Sequence, residues 1–270
     1  MINSNHFFKI LCACLVAFSS MSAQESDKKG LSFTYVENTE TFSENEKQLI
    51  EETITETDKD LRELLPELPQ NIEVILAQMS RDLEVVGGTT GRAEKHDPDG
   101  EVYIYISNVF PGGIKAAVKT SLVPTIYHEF HHLARGWTMI GNKFDRGIDI
   151  AMVNEGLAVV FSEHYTQKVF EGNSIPKDVE SWVEEVLALP QDANYNTWMN
   201  QHPDGRFGIG YRAGNYVVRK AIKQSKKDIL ELSMLSPEEI LELAGYYLYR
   251  NTINFSQSLV QLFSSIKLRL

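Results

Sequence analysis

The segment TIYHEFHHLARG, residues 125–136, places three histidines around one glutamate, and His128, Glu129 and His132 satisfy the pattern H-E-x-x-H. On an α-helix, residues four apart lie about 40° apart around the axis and one turn along, so both imidazoles can reach one metal ion. Glu129 is rotated by about 100° from His128, which places its carboxylate beside the ion, where it can take a proton from metal-bound water. The spacing therefore predicts a catalytic zinc site with Glu129 as the catalytic base.

His131 needs separate treatment because it lies three residues after His128 and could compete with His132 for the ion. The H-E-x-x-H geometry with Glu129 as base favours His132. We therefore expect His131 to be a hydrogen-bonded neighbour of the site or a surface residue, and not a ligand.

A catalytic zinc needs a third protein ligand, and Glu155 in the segment VNEGLAVVFSEH is the best candidate. It lies 23 residues after His132, within an apolar run that predicts a helix. An unpaired carboxylate among apolar side chains is costly to bury, and coordination of a cation would remove that cost. Asp149, Glu163 and His164 are the competing ligands on the same helix.

A zinc hydrolase also needs a donor for the oxyanion that develops during the reaction. The segment GYRAGNY offers Tyr211, Arg212 and Tyr216, and His164 is a further candidate. Tyr211 is the preferred catalytic donor, and packing within a helix is the alternative role for the two tyrosines.

The elements that position these residues follow from hydrophobic periodicity. Strands are predicted at 31–36, 71–77 and 101–107, and the capping box from Ser43 to Glu46 predicts the start of a helix that ends before Pro66. Turn residues predict loops at 87–91 and 97–100. From Lys115 onward the pattern is helical, with helices near 116–135, 149–170, 178–188, 208–224, 236–248 and 254–267.

This order predicts an α+β fold in one domain over residues 24–270, with a small N-terminal mixed sheet and helices followed by a mainly helical C-terminal part. Thr120 or Ser121 is expected to cap the H-E-x-x-H helix, with Pro124 in its first turn. The strand that contains Tyr103 and Tyr105 is a candidate for the sheet edge beside the cleft, where an extended substrate could pair. An interior strand is the alternative.

Residues 1–23 have the features of a secretory signal peptide: a weakly basic start, an apolar core of about 9 residues and a small-residue exit at Ala23. Lipoprotein attachment at Cys14 and an uncleaved anchor are the alternatives. Both cysteines, Cys12 and Cys14, lie in this segment, so cleavage would leave His, Asp and Glu as the metal-binding side chains. We expect an exported protein, periplasmic or extracellular, with no stable membrane insertion after cleavage.

The net charge of the chain indicates which classes of partner are disfavoured. The 270 residues carry a formal net charge of -11, which disfavours a nucleic acid as partner. Hydrophobic residues make up 43% and charged residues 23%, as in ordinary soluble globular proteins. The oligomeric state does not follow from these features.

The segments HEFHHLARG, VNEGLAVVFSEH and GYRAGNYVVRKAI together resemble the YjaZ-like zinc-dependent metallopeptidases. The resemblance extends roughly from Tyr35 to Phe263. It implies a zincin-like fold of the gluzincin type, one Zn²⁺ per chain and a peptide or protein substrate. The residues it implies for the site are His128 and His132 as ligands, Glu155 as third ligand and Glu129 as catalytic residue.

The leading interpretation is a secreted or periplasmic zinc metallopeptidase that hydrolyses peptide bonds through a zinc-bound water activated by Glu129. The alternative is a non-catalytic zinc-binding or assembly protein of the cell envelope that keeps the zincin-like fold. Glu129 favours catalysis, because a purely structural metal site has no use for a carboxylate beside an open coordination position. A zinc hydrolase of non-peptide substrates is a third possibility that the same chemistry allows.

Overall fold

The computed structural model describes residues 30–36 and 40–246 of the chain. The leader expected at residues 1–23 and the helix expected at 254–267 lie outside the described residues.

A four-stranded sheet forms the N-terminal part of the described chain. Its strands are β1 (Gly30–Val36), β2 (Asn71–Met79), β3 (Thr89–His96) and β4 (Asp99–Ser107), in the order β1-β2-β4-β3. The first two and β4 run parallel, whereas β3 pairs antiparallel with β4 at the edge of the sheet. Alternate residues of the central strands, among them Val74 and Ile104, are fully buried in the core.

The strand β3 differs from the sequence expectation, which placed a loop at 87–91. Its sequence, TTGRAEKH, contains a glycine and four charged or titratable residues, so local propensity does not favour a strand. Pairing with β4 imposes the extended conformation instead. β4, which contains Tyr103 and Tyr105, is consequently an interior strand, and the hypothesis that it forms the sheet edge is wrong. The loop expected at 97–100 is confirmed only at residues 97–98, which form the turn between β3 and β4, because β4 begins at Asp99.

The described residues contain eight α-helices, and the C-terminal part is mainly helical, as expected. They are α1 (Glu44–Leu64), α2 (Gly113–Ala117), α3 (Val123–Arg135), α4 (Ile148–Thr166), α5 (Val179–Leu187), α6 (Ile209–Ser225), α7 (Ile229–Ser233) and α8 (Pro237–Leu243). The short α7 was not expected. In the described part of the chain, no helix combines the length and the apolar character needed to cross a bilayer.

The helix starts follow different rules in α1 and α3. The capping box of α1 is confirmed, because the Ser43 backbone N–H donates to the Glu46 carboxylate at 2.8 Å. The expected cap of α3 at Thr120 or Ser121 is wrong, since both lie inside a π-helical turn, Val118–Leu122, that joins α2 to α3. Their hydroxyls donate to backbone carbonyls, that of Ser121 to Gly87 at 2.7 Å.

Two glycines allow α4 and α6 to cross in direct backbone contact. A Cβ on Gly156 would lie 2.3 Å from the carbonyl carbon of Gly214, and a Cβ on Gly214 would lie 1.9 Å from the Met152 oxygen. Because neither position has room for a side chain, the two helix backbones approach more closely than side-chain packing allows. This contact brings Glu155 of α4 and Tyr211 of α6 to the same region.

Candidate metal centre and cleft

Three ligand atoms from α3 and α4 converge on one point. His128 Nε2 and His132 Nε2 lie 3.2 and 3.1 Å from Glu155 Oε2, and the two nitrogens lie 3.0 Å apart. In a tetrahedral zinc site with bonds of about 2.0–2.1 Å, neighbouring ligand atoms are about 3.3 Å apart. The three atoms therefore fit one face of a zinc tetrahedron, and two imidazoles with one carboxylate form a donor set that zinc accepts.

The carboxylate of Glu155 is oriented by a residue outside this group. The Trp137 indole Nε1–H donates to Glu155 Oε1 at 2.9 Å, which leaves Oε2 directed at the two histidines. Burial opposes ionisation of Glu155, but the neighbouring His132 and His128 outweigh it and hold the pKa of Glu155 well below its usual range. Glu155 is thus an anion, the form that binds a metal.

Glu129 lies beside these atoms, buried between α3 and β3. Its Oε2 has no hydrogen-bond partner among the described residues. Burial raises the pKa of Glu129 to about 7, with His128 lowering it and Glu155 raising it further. A buried carboxylate that titrates near neutrality and has an unpartnered oxygen is suited to general base catalysis.

Gly91 of β3 makes room for that carboxylate. A Cβ at this position would lie 2.8 Å from Glu129 Cγ and 2.9 Å from Glu129 Oε1. The side chain of Glu129 therefore packs directly on the backbone of the edge strand. Spacing in the sequence gave no indication of this contact, because 38 residues separate the two positions.

His131 points away from the cluster. It is 1% exposed, and its Nε2 lies 2.8 Å from Ser233 Oγ of α7. Burial lowers the pKa of His131, so it is neutral. The residue links α3 to α7 and is not at the surface.

A cleft of about 500 Å³ opens from this centre. His128, Glu129 and Tyr211 line it from the helices, and Thr89–Gly91 line it from the edge strand. The lining also contains the apolar residues Leu83, Val85, Val86, Phe170, Met199 and Phe207.

Residues 50–242 match the model of a protein family described as "Predicted Zn-dependent protease (DUF2268)". The chain belongs to this family. The match agrees with the resemblance to the YjaZ-like metallopeptidases and includes His128, Glu129, His132 and Glu155. Comparison with curated proteins and with solved structures finds no match.

In this family member, the alternative ligands on α4 lie outside the cluster. Among the described residues, the group around His128 and His132 that could hold a metal ion does not contain Asp149, Glu163 or His164. The Glu163 carboxylate accepts a hydrogen bond from Arg219.

Tyr211 lines the cleft, with its ring centroid 6.4 Å from that of His128. Burial, and next the charge of Glu155, raise the pKa of Tyr211 well above its usual value. Burial, and next the charge of Glu155, raise the pKa of Tyr195 above its usual value, so Tyr195 lies near the same centre. The sequence did not single out Tyr195, because it precedes the π-helical turn Asn196–Asn200 and carries no motif.

The other expected oxyanion donors have partners elsewhere. The Arg212 guanidinium donates to the carbonyl of Glu171 at 3.0 Å, and Tyr216 donates to Glu180. His164 is exposed at the end of α4. Of the four candidates, Tyr211 is the one that lines the cleft.

A second group of titratable residues, Glu94, His96 and Glu101, lies at the turn end of the β3–β4 hairpin. His96 Nε2 lies 3.8 Å from a Glu94 carboxylate oxygen and 3.6 Å from one of Glu101, and Glu94 accepts from Arg92 Nε at 3.0 Å. His96 is exposed, so this group does not form an enclosed centre.

Proposed function

We propose that this protein is a zinc-dependent peptidase with a zincin-like fold. The observation that carries the proposal is the meeting of His128, His132 and Glu155 within 3.2 Å, next to the buried and unpartnered Glu129 Oε2. Membership of a family described as a predicted zinc-dependent protease supports the same function.

One zinc ion would be held by the two Nε2 atoms and by Glu155 Oε2. A zinc ion in such a site supplies Lewis acidity towards water and towards a peptide carbonyl. Trp137 keeps Glu155 oriented through its indole N–H. The geometry leaves the side facing Glu129 and the cleft for substrate and water.

Two side chains of the protein would then transfer the proton and stabilise the developing negative charge. Glu129 accepts a proton from the attacking water on its unpartnered oxygen and passes that proton to the leaving amine. Tyr211 donates a hydrogen bond to the developing oxyanion, and its raised pKa keeps it protonated, as a donor must be.

We extend the proposal to an exported enzyme. It rests on the leader features of residues 1–23 and on a donor set that uses no cysteine. A peptide or protein is the substrate, and the net charge of -11 argues against a nucleic acid.

The decisive experiment compares wild type with Glu129→Gln on a peptide library. We expect about one zinc per chain in both proteins and hydrolysis only by wild type, because glutamine cannot take the proton. His128→Ala and Glu155→Ala should each lose zinc, as measured by metal analysis. If wild type produces no cleavage that Glu129→Gln lacks, the non-catalytic zinc protein becomes the better description.

A further inference from the structure

The free edge of β3 is accessible along only part of its length. After α3 the chain continues through residues 137–141, here called the wall segment, which lies against the far half of β3. Met139 N–H donates to the Ala93 oxygen at 2.9 Å, and Lys95 N–H donates to the Ile140 oxygen at 3.0 Å. The wall segment thus occupies the edge at Ala93 and Lys95.

The alternation of backbone groups along β3 identifies which N–H and C=O groups at its outer edge have no strand partner. In an antiparallel edge strand, the N–H and C=O of one residue point outward together, and this recurs at every second residue. Since Ala93 and Lys95 point outward, Gly91 and Thr89 do so as well. Thr89 is only 1% exposed, so Gly91 is the residue whose outward groups a substrate can reach. No other backbone group of residues 30–36 or 40–246 is bonded to the outward side of these two residues.

The shape of the cleft agrees with this pattern. β3 contributes Thr89, Thr90 and Gly91 to the lining of the cleft, whereas residues 92–96 and the wall segment do not line it. The wall segment is also attached to the metal centre, because its Trp137 donates to Glu155. The cleft therefore ends beside Gly91 and Glu129, before the part of β3 that the wall segment covers, and it extends towards Val85, Val86 and Phe170.

The distance between the Glu129 carboxylate and the wall segment limits how much of a substrate fits between them. Its carboxylate lies against Gly91, and the wall segment is bonded to the strand from Ala93 onward. Two residues of extended chain span about 7 Å, so a substrate has room for one or two residues between the reacting carbonyl and the wall segment. Towards Thr89 the cleft continues to Val85, Val86 and Phe170.

Resting on the proposed peptidase function, we propose that this site releases one or two residues from the amino terminus of a peptide. A peptide that adds to β3 would pair antiparallel, the more stable arrangement, and would run opposite to β3. Its amino-terminal end then meets the wall segment at Ala93. The rest of the peptide continues along the cleft towards Val85, Val86 and Phe170.

The test uses the zinc-loaded full chain and decapeptides fused to a folded carrier protein at either end. Mass spectrometry of the earliest products should find cleavage after the first or second residue of free peptides and of peptides with a carrier at the carboxyl end. A carrier at the amino end should block cleavage. Early internal cleavage, or trimming from the carboxyl end, would overturn the inference while leaving the peptidase function intact. Absence of all cleavage would overturn both.

Two variants at one position test the wall segment itself. Met139→Pro removes the N–H that bonds Ala93, and should raise cleavage of the amino-end fusion by roughly tenfold or more. Met139→Ala keeps the N–H and should leave the specificity of wild type unchanged. Zinc content and circular dichroism check that both variants fold.

A binding measurement keeps the inference testable if Met139→Pro does not fold. Hydrogen exchange of Glu129→Gln with a bound decapeptide should slow at the Gly91 amide and remain unchanged at the Lys95 amide. Protection at Lys95 on peptide binding, or none at Gly91, would contradict the proposed path along β3.

Discussion

At the residue scale, the contact between Glu129 and Gly91 fixes the position of the proposed general base. The carboxylate packs on a strand position that has no side chain, so the backbone of β3 fixes how far it can move. His128 and His132 on the same helix are two of the three proposed ligands, so α3 holds the proposed base and both imidazoles.

Gly91→Ala should displace the Glu129 carboxylate, because the added methyl would lie within 2.9 Å of it. We expect kcat to fall by about 100-fold, the usual effect of a misplacement of about 1 Å, while the zinc content stays unchanged. Kinetics and metal analysis of the purified variant measure both. Gly100→Ala on β4, where the methyl meets the flexible end of Leu133 at 3.1 Å, is the control and should retain near-normal kcat. An unchanged kcat in Gly91→Ala would remove the reason given for this glycine.

Trp137→Phe keeps the aromatic volume and removes the indole N–H that holds Glu155 Oε1. Groups that orient a metal ligand typically contribute 10–100-fold to affinity, so the Kd for zinc should rise by about that factor. Competition with a chelator gives the Kd. Trp198→Phe, which removes an indole outside the metal centre, should leave it unchanged. Equal zinc affinity in wild type and Trp137→Phe would mean that Glu155 is held by other contacts.

At the element scale, the crossing of α4 and α6 decides whether Tyr211 reaches the site. The crossing depends on Gly156 and Gly214, where the two backbones touch. Any side chain at either position would separate the helices and move Tyr211 away from Glu155. The glycines in NEG and AGN are therefore packing requirements of the fold that also serve the site.

Gly214→Ala should lower the free energy of unfolding by about 3 kcal/mol, since the methyl meets the rigid Met152 backbone oxygen at 1.9 Å. Helix propensity alone would stabilise the alanine variant by about 1 kcal/mol. The sign of the change in the free energy of unfolding therefore distinguishes the steric clash from the effect of helix propensity. Urea denaturation measures the change. Gly210→Ala on the same helix meets the flexible end of Met199 and should cost less, because methionine can move. A stabilised Gly214→Ala variant would contradict the crossing described above.

At the scale of the whole molecule, the proposed ion would join α3 to α4, two helices of the main core. A ligand that binds only the folded state at a free concentration 100 times its Kd adds about 2.7 kcal/mol of stability. For a chain of this length, that corresponds to a rise in Tm of roughly 5–10 °C. Thermal denaturation with zinc and with chelator measures the shift.

The two groups of residues that could hold a metal ion allow a matched comparison of the zinc-dependent rise in Tm. His132→Ala should abolish the zinc-dependent rise in Tm, because it removes a proposed ligand. His96→Ala belongs to the exposed second group and should preserve the rise. A shift that survives His132→Ala and disappears in His96→Ala would place the zinc at the β3–β4 hairpin instead.

Sequence patterns within a few residues correctly predicted several helices. The apolar spacing of α1 and α4, and the capping box at Ser43, follow from interactions within a few residues, and the helices formed close to the expected bounds. The strand β3 was not predicted, because its residues have no intrinsic preference for extended structure and are held there by β4. The expected cap at Ser121 failed for a similar reason, since its hydroxyl bonds Gly87, 34 residues away.

The sequence by itself determined the arrangement of His128, Glu129 and His132, because the geometry of an i, i+4 pair is set by its helix alone. It also singled out Glu155 and Tyr211 as candidates, which lie on two other helices. Family membership and the mixed sheet followed by helices were also predictable from the chain. Only the tertiary structure decided that Gly91, Trp137 and Tyr195 lie close to those residues and that the wall segment covers the edge of β3 at Ala93 and Lys95. These contacts join residues far apart in the chain, and their energies depend on packing and hydrogen bonding that exist only after the sheet and helices have assembled.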